Sequence, residues 1–147
     1  MAYRYTWDQE TPMELDLRPS GSPAPDPFEG KLDPAVMDQL LNLDDGAVGL
    51  VKEMYGLFRE DIPGRFKAME AVLDAADRTD LADLAHAIKG AAGTMGTLRL
   101  RATAAEMEGS ARQGAFATEP AVLFVRMQAA YAEALEALSQ YIALRES

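Results

Sequence analysis

From Asp33 onward, apolar side chains recur about every 3.6 residues, and no stretch alternates apolar and polar positions as a strand would. Asp33 and Pro34 are a capping residue and a first-turn proline, so they predict a short helix that ends near residues 44–46. A longer helix follows. Its apolar positions stay in phase across Pro63, which predicts a kink or a brief interruption in one continuing rod. These positions are Val51, Met54, Tyr55, Phe58, Ile62, Phe66, Met69 and Leu73.

Three further segments show the same helical period and are separated by turn residues. The first is capped by Thr79 or Asp80 and runs through Met95, and the second runs from Leu98 to about Arg112, where Gln113 and Gly114 close it. The third is opened by Thr118 and Pro120 and has an apolar stripe from Leu123 to Ile142. The connections are short, as between antiparallel neighbours in a bundle. The predicted fold is therefore all-α, an antiparallel up-and-down four-helix bundle with a short leading helix.

The first 31 residues differ from the rest of the chain. They contain five prolines and lack a sustained apolar period, which predicts a flexible, disordered Pro-rich arm before a domain of residues 32–147. Three aromatic residues near its start, Tyr3, Tyr5 and Trp7, are candidates for docking on the bundle or on a partner, although such ends more often fray.

The composition excludes several kinds of site. With no cysteine and one histidine, the chain has no disulfides, no thiolate metal site and no multi-histidine metal site. These counts leave a site built from carboxylates alone open, and our prediction is that the chain holds no metal. A formal net charge of -10 works against binding to nucleic acid or anionic lipid. There is neither an apolar run long enough to cross a bilayer nor a secretory signal pattern at the start, which predicts a cytoplasmic protein.

The segment 81–98 carries the candidate chemistry. Wound as a helix, it places apolar residues on one broad arc, which is the predicted buried face. That arc holds Leu81, Leu84, Ile88, Ala91, Ala92, Met95 and Leu98. His86 lies opposite the arc, with Gly90 and Gly93 beside it and Lys89 about one sixth of a turn away. His86 is thus predicted to face solvent.

The two exposed glycines favour a docking surface. Each glycine inside a helix costs roughly 0.8 to 1 kcal/mol relative to alanine, and no core packing explains Gly90 or Gly93 on the solvent side. A face without side chains lets another molecule approach His86, whose neutral imidazole is a nucleophile. The ammonium of Lys89 is within reach of a phosphoryl group held there. A single exposed histidine is usually only solvated, and glycines also mark close packing or, at Gly96, a helix cap.

The stretch His86-Ala87-Ile88-Lys89-Gly90-Ala91-Ala92-Gly93-Thr94-Met95-Gly96 resembles the signature of histidine phosphotransfer (HPt) domains of bacterial phosphorelays. That signature is His, two residues, Lys-Gly, five residues and Gly. Further similarities are Phe58 and Pro63 upstream and Leu100 with the pair Met107-Glu108 downstream, where methionine replaces the usual leucine. The resemblance covers residues 32–142.

The resemblance implies a role for each matching residue. His86 would be phosphorylated and Lys89 would assist by its charge, while Gly90 would make room for a receiver domain and Gly96 would shape the turn. The partners would be receiver domains of response regulators and hybrid histidine kinases, with Mg²⁺ held in the receiver, so the chain itself would need no cofactor. It would be a monomeric phosphoryl carrier. Because it has no phosphate-binding loop, we predict neither ATP binding nor autokinase activity.

Two other functions stay open at this point. One is a non-catalytic module that docks a receiver or kinase without carrying phosphate. The other is a hydrolytic or metal enzyme, which we disfavour because the carboxylates are not expected to gather near His86. An acidic receiver pocket would also require a local positive patch on this strongly acidic chain. Its candidate members are Lys89 and either Arg99 or Arg101.

Overall fold

Five α-helices account for nearly all of residues 26–146, the part of the chain that this computed structural model describes. They are α1 (Pro34–Leu43), α2 (Gly49–Val72), α3 (Thr79–Met95), α4 (Leu98–Gln113) and α5 (Pro120–Glu146). No named strand occurs within residues 26–146, which confirms the all-α prediction. Tyr3, Tyr5 and Trp7 lie outside the described residues, so their predicted docking stays a prediction.

The four long helices form the bundle. Helix α3 packs between α2 and α4, α5 closes the ring between α4 and α2, and α1 packs across α2 and α3. Each long helix sends fully buried side chains into one shared core, among them Ile62, Ile88, Met107 and Leu138. Burying a side chain of this size stabilises the fold by roughly 1.5 to 3 kcal/mol. The bundle with a short leading helix agrees with the prediction.

The helix ends show where the local sequence signals held. Asp33 caps α1 as predicted, because its carboxylate accepts a hydrogen bond of 3.0 Å from the Ala35 backbone N–H. Helix α2 continues through Pro63 as one helix, so no interruption is present. The predicted cap of α3 was wrong. Neither Thr79 nor Asp80 caps it, and the Asp77 carboxylate accepts the Thr79 backbone N–H over 2.9 Å instead.

The turn between α3 and α4 is fixed to the start of α1. Gly96 ends α3 in the left-handed region with a φ of 71°. A β-carbon there would also lie 3.1 Å from two side-chain carbons of Val36, so this position requires glycine for its backbone and for its packing. The backbone of Asp33 donates to Gly96 O over 2.8 Å, and Leu98 donates to Lys31 O over 3.1 Å. These two hydrogen bonds hold the C-terminal end of α3 against the segment that leads into α1.

Residues 26–31, which the sequence assigns to the arm, form a hydrogen-bonded turn. Phe28 packs edge-on against Tyr141 with 5.5 Å between the ring centroids. These residues therefore contact the last helix of the bundle.

Within residues 26–146, none of the helices combines the length and the apolar character that crossing a membrane requires.

Candidate functional site

His86 lies on the outer face of α3, where 63% of its side chain is exposed. The opposite face is buried as predicted at Leu81, Ile88 and Met95. The buried arc is rotated slightly from the predicted one, because Ala82 and Ala85 are buried while Leu84, Ala91 and Leu98 are only half-buried. The prediction that His86 faces solvent is confirmed.

A carboxylate of α4 meets His86 from the side. The Glu108 Oε2 atom lies 2.8 Å from Nδ1 of His86, and its Oε1 atom lies 2.6 Å from Nζ of Lys89. Arg112, one turn further along α4, donates to Oε2 over 3.2 Å. Glu108 is largely enclosed, with 11% of its side chain exposed. One carboxylate therefore holds the predicted nucleophile and two cations together.

These contacts keep Glu108 ionised. The hydrogen bond from Lys89 contributes most to lowering its pKa from 4.5 to about 2, with further lowering by hydrogen bonds from His86 and Arg112. Burial acts in the opposite direction by disfavouring the charged form, but the three donors outweigh it. Glu108 is thus a carboxylate at every physiological pH.

An ionised carboxylate can only accept hydrogen bonds, so the 2.8 Å contact requires that Nδ1 of His86 carries the proton. In the neutral imidazole the lone pair is then on Nε2, the ring nitrogen that Glu108 does not contact. Because most of the His86 side chain is exposed, the ring is open to an incoming molecule. Glu108 therefore fixes which nitrogen can act as the nucleophile.

A second acidic residue completes the charge network. The Arg112 guanidinium, besides contacting Glu108, lies 3.4 Å from a carboxylate oxygen of Asp83. Asp83 precedes His86 by one helical turn on α3, so Arg112 bridges the two helices beside the imidazole. The two cations and Glu108 carry a combined charge of about +1, and Asp83 at the edge brings the group close to neutral.

The three predicted glycines occupy different surroundings. Gly90 is exposed, and a β-carbon there would meet no described atom within 4 Å outside its own helix backbone and chain neighbours. At Gly93 a β-carbon would lie 3.4 Å from Nε of Arg101, so the prediction of a bare face holds at Gly90 and is wrong at Gly93, which Arg101 covers. Gly96 is buried in the α3–α4 turn, so it shapes the turn and is not part of an exposed surface.

The two arginines proposed for a positive patch also differ. Arg99 pairs with Glu133 of α5 over 2.9 Å and points toward that helix. Arg101 extends over α3 at Gly93 and has no acidic partner among residues 26–146. Of these two candidates, only Arg101 lies over the glycine-containing stretch of α3.

The expectation that no carboxylate gathers near His86 was wrong, because Glu108 does. The sequence carried a signal for it. Leu100, Ala104, Met107 and Ala111 define the buried stripe of α4, and Glu108 lies within that stripe. A carboxylate in a buried stripe needs a partner. Among residues 26–146, no three or more histidine, aspartate or glutamate side chains are placed together so that they could hold a metal ion.

Comparisons with known proteins give a consistent result. The sequence model described as the Hpt domain matches residues 53–141. Among solved structures, histidine-containing phosphotransfer protein B (HptB) from Pseudomonas aeruginosa is 26% identical, with a TM-score of 0.67 over 77% of this chain and 95% of that chain. No sequence match to a curated protein is significant.

Two less identical structures show the shared fold. The histidine-containing phosphotransfer domain of ArcB from Escherichia coli is 23% identical, with a TM-score of 0.66 over 79% of this chain and 96% of that chain. The histidine-containing phosphotransfer protein MtHPt2 from Medicago truncatula is 21% identical, with a TM-score of 0.65 over 80% of each chain.

Proposed function

Since the chain belongs to the Hpt domain family and is a histidine phosphotransfer protein of phosphorelays, we propose that His86 carries the phosphoryl group on its Nε2 atom. One observation carries this proposal. The ionised Glu108 accepts a hydrogen bond from Nδ1–H of His86, which leaves the lone pair of an exposed imidazole on Nε2. His86 is also the single histidine of the chain.

The proposed step is a direct phosphoryl exchange. The Nε2 lone pair forms a bond to the phosphorus of a receiver's aspartyl phosphate, and the electron pair of the broken P–O bond returns to the aspartate. No proton has to leave Nε2, because the tautomer already has it unprotonated. The imidazole gains positive charge as the N–P bond forms, and Glu108 stabilises that charge through Nδ1–H.

Lys89 and Arg112 supply the counter-charge. Both already contact Glu108, so they lie beside the group that receives the phosphoryl charge. Phosphoryl transfer depends mainly on positioning and on neutralising developing charge, which flexible ammonium and guanidinium groups provide. Of these two cations, Lys89 is the closer to His86 in sequence, since it follows His86 by three positions on the same helix.

The family indicates the general class of partner. Hpt domains take part in phosphorelays with receiver domains and kinases. For this chain we propose receiver domains of response regulators and hybrid histidine kinases, with Mg²⁺ bound in the receiver and no cofactor here. Family members are phosphocarriers, so we further propose that this chain has no autokinase activity and works as a cytoplasmic monomer. Its phosphotransfer domain would comprise residues 32–147, following the arm of residues 1–31.

The test uses wild-type protein and the His86→Gln variant. Each is mixed with receiver domains charged with ³²P-labelled acetyl phosphate in the presence of Mg²⁺. We expect acid-labile, alkali-stable label on the wild type alone, because phosphohistidine has that stability and glutamine has no nucleophilic nitrogen. Circular dichroism should show equal helix content in both proteins, since His86 is exposed.

Two outcomes would contradict the proposal. Label on a folded His86→Gln variant would place the phosphoryl group elsewhere. Unlabelled wild type that nevertheless binds receivers would instead support a docking module that carries no phosphate.

A further inference from the structure

The surface around His86 contains a cation that the phosphotransfer step does not use. Helices α3 and α4 carry four cationic side chains. Lys89 and Arg112 are paired with Glu108, and Arg99 is paired with Glu133. Among the described residues, no acidic group pairs with Arg101, which is exposed.

The side chain of Arg101 nevertheless lies against α3, the helix that carries His86. Its Nε and Cδ atoms would lie 3.4 and 3.6 Å from a β-carbon at Gly93, so its side chain extends across α3 where that helix lacks a side chain. Gly93 follows His86 by seven positions, which is about 10 Å along the axis at roughly 1.5 Å per residue. A typical interface covers roughly 800 Å² on each partner and therefore includes groups at this distance.

We infer that Arg101 is a partner-recognition residue whose guanidinium pairs with a carboxylate of the docking receiver domain. This rests on the proposed function, because it assumes that the receiver approaches over His86. A receiver carries acidic residues around its phosphorylation pocket, and this chain has a formal net charge of -10. A cation without an acidic partner on the docking face relieves that repulsion locally.

The surroundings of Gly90 and Gly93 explain how one face of α3 serves both receiver docking and phosphoryl transfer. Gly90 is open, so the partner's backbone can approach beside His86. One turn further on, Arg101 fills the space above Gly93 with a charge from the neighbouring helix. The partner thus meets the imidazole, then an open surface, then a guanidinium. Arg101 acts on binding and not on the reacting atoms.

The experiment measures transfer rate against concentration. From a panel of receiver domains charged with labelled acetyl phosphate, the one that phosphorylates wild type fastest serves as the probe. Arg101→Gln removes the charge and keeps much of the stem, while Arg101→Lys keeps the charge. Arg126→Gln is the matched control, because Arg126 is exposed on α5 and also has no acidic partner among residues 26–146.

We expect Arg101→Gln to raise the half-saturating concentration about five- to ten-fold, with a maximal rate within about two-fold of wild type. Arg101→Lys should have a half-saturating concentration close to that of wild type, and Arg126→Gln should not change it. The dependence of transfer on salt between 50 and 200 mM should also weaken in Arg101→Gln, since a screened ion pair is lost. Hydrolysis of the phosphorylated protein should not change.

Three results would overturn the inference. Unchanged half-saturation in Arg101→Gln would remove Arg101 from the interface while leaving the His86 assignment intact. An equal effect of Arg126→Gln would mean that only net charge matters. Absence of label on the wild type would remove both this inference and the proposed function, which separates their failures.

Discussion

The carboxylate of Glu108 lies 2.8 Å from Nδ1 of His86, although the two residues are 22 positions apart and on different helices. Their alignment depends on the tight α3–α4 turn at Gly96, which sets the two helices side by side. The turn is therefore part of the site, since a shift of one helix against the other would separate the imidazole from the group that fixes its proton.

Glu108→Gln should weaken the control of the His86 tautomer. An amide can donate as well as accept, so the neutral ring would exchange more freely between its Nδ1–H and Nε2–H forms. We expect a lower Nδ1–H population in ¹⁵N NMR spectra and phosphoryl acceptance slowed roughly ten-fold. The matched control is Glu133→Gln, which removes a carboxylate from the Arg99 pair elsewhere on the bundle. An unchanged tautomer ratio in Glu108→Gln would contradict the role given to Glu108.

Stability should depend on the ionisation of Glu108 in acid. Its pKa is lowered from 4.5 to about 2 in the folded protein, so the folded state favours the carboxylate. The stabilisation is fully present above about pH 4.5 and is lost as the pH falls toward 2. Urea unfolding should show a larger difference between wild type and Glu108→Gln at pH 7 than at pH 3. An equal difference at both values would exclude this effect.

The fold was predictable because its signals are local. The cap at Asp33, the glycine at Gly114 and the apolar period of α2 each depend on residues within a few turns of one another. The Glu108 contact was not found from helical spacing, because it depends on how α4 is rotated against α3. Arg99 and Arg101 were both candidates for a positive patch, and helical spacing did not decide between them for the same reason, whereas the structure places Arg101 over Gly93. Both depend on the packing of two helices, which a single helical wheel does not contain.

Gly90 and Gly96 should respond oppositely to alanine. At Gly90 a β-carbon meets open space, so Gly90→Ala should raise the free energy of unfolding by about 0.5 to 1 kcal/mol through helix propensity. Gly96 has a φ of 71° and a crowded site beside Val36, so Gly96→Ala should destabilise the protein by at least about 1 kcal/mol. Denaturant unfolding of both variants checks this. A loss of stability in Gly90→Ala would contradict the open space found there.

The Gly90 surface allows a separate test by size. Gly90→Gln adds a longer side chain beside His86, at an exposed position where a β-carbon would meet no described atom within 4 Å outside its own helix and neighbours. We expect helix content to be retained and the half-saturating receiver concentration to rise several-fold, because the partner's approach is obstructed. The control is Gly109→Gln, at an α4 position where a β-carbon likewise meets no described atom within 4 Å outside its own helix and neighbours. Equal transfer by Gly90→Gln and wild type would place the docking surface elsewhere.

Lys89 should contribute more to stability than an ordinary surface lysine. Lys52 pairs with Glu146 where both side chains are about half exposed, and such pairs contribute roughly 0 to 1 kcal/mol. Lys89 instead contacts the enclosed Glu108, so Lys89→Ala should lower the free energy of unfolding by about 1 to 2 kcal/mol, more than Lys52→Ala.

The double variant Lys89→Ala/Glu108→Gln separates the pair from its individual losses. Removing Lys89 alone leaves the mostly buried carboxylate of Glu108 without its nearest cation. In the double variant there is no carboxylate at position 108 that would need this cation. The double variant should therefore lose less stability than the sum of the two single variants, by roughly 0.5 kcal/mol or more. Urea unfolding of all four proteins at pH 7 measures this coupling. Additive losses would mean that Lys89 and Glu108 stabilise the bundle independently of each other, which would contradict the coupling inferred from their 2.6 Å contact.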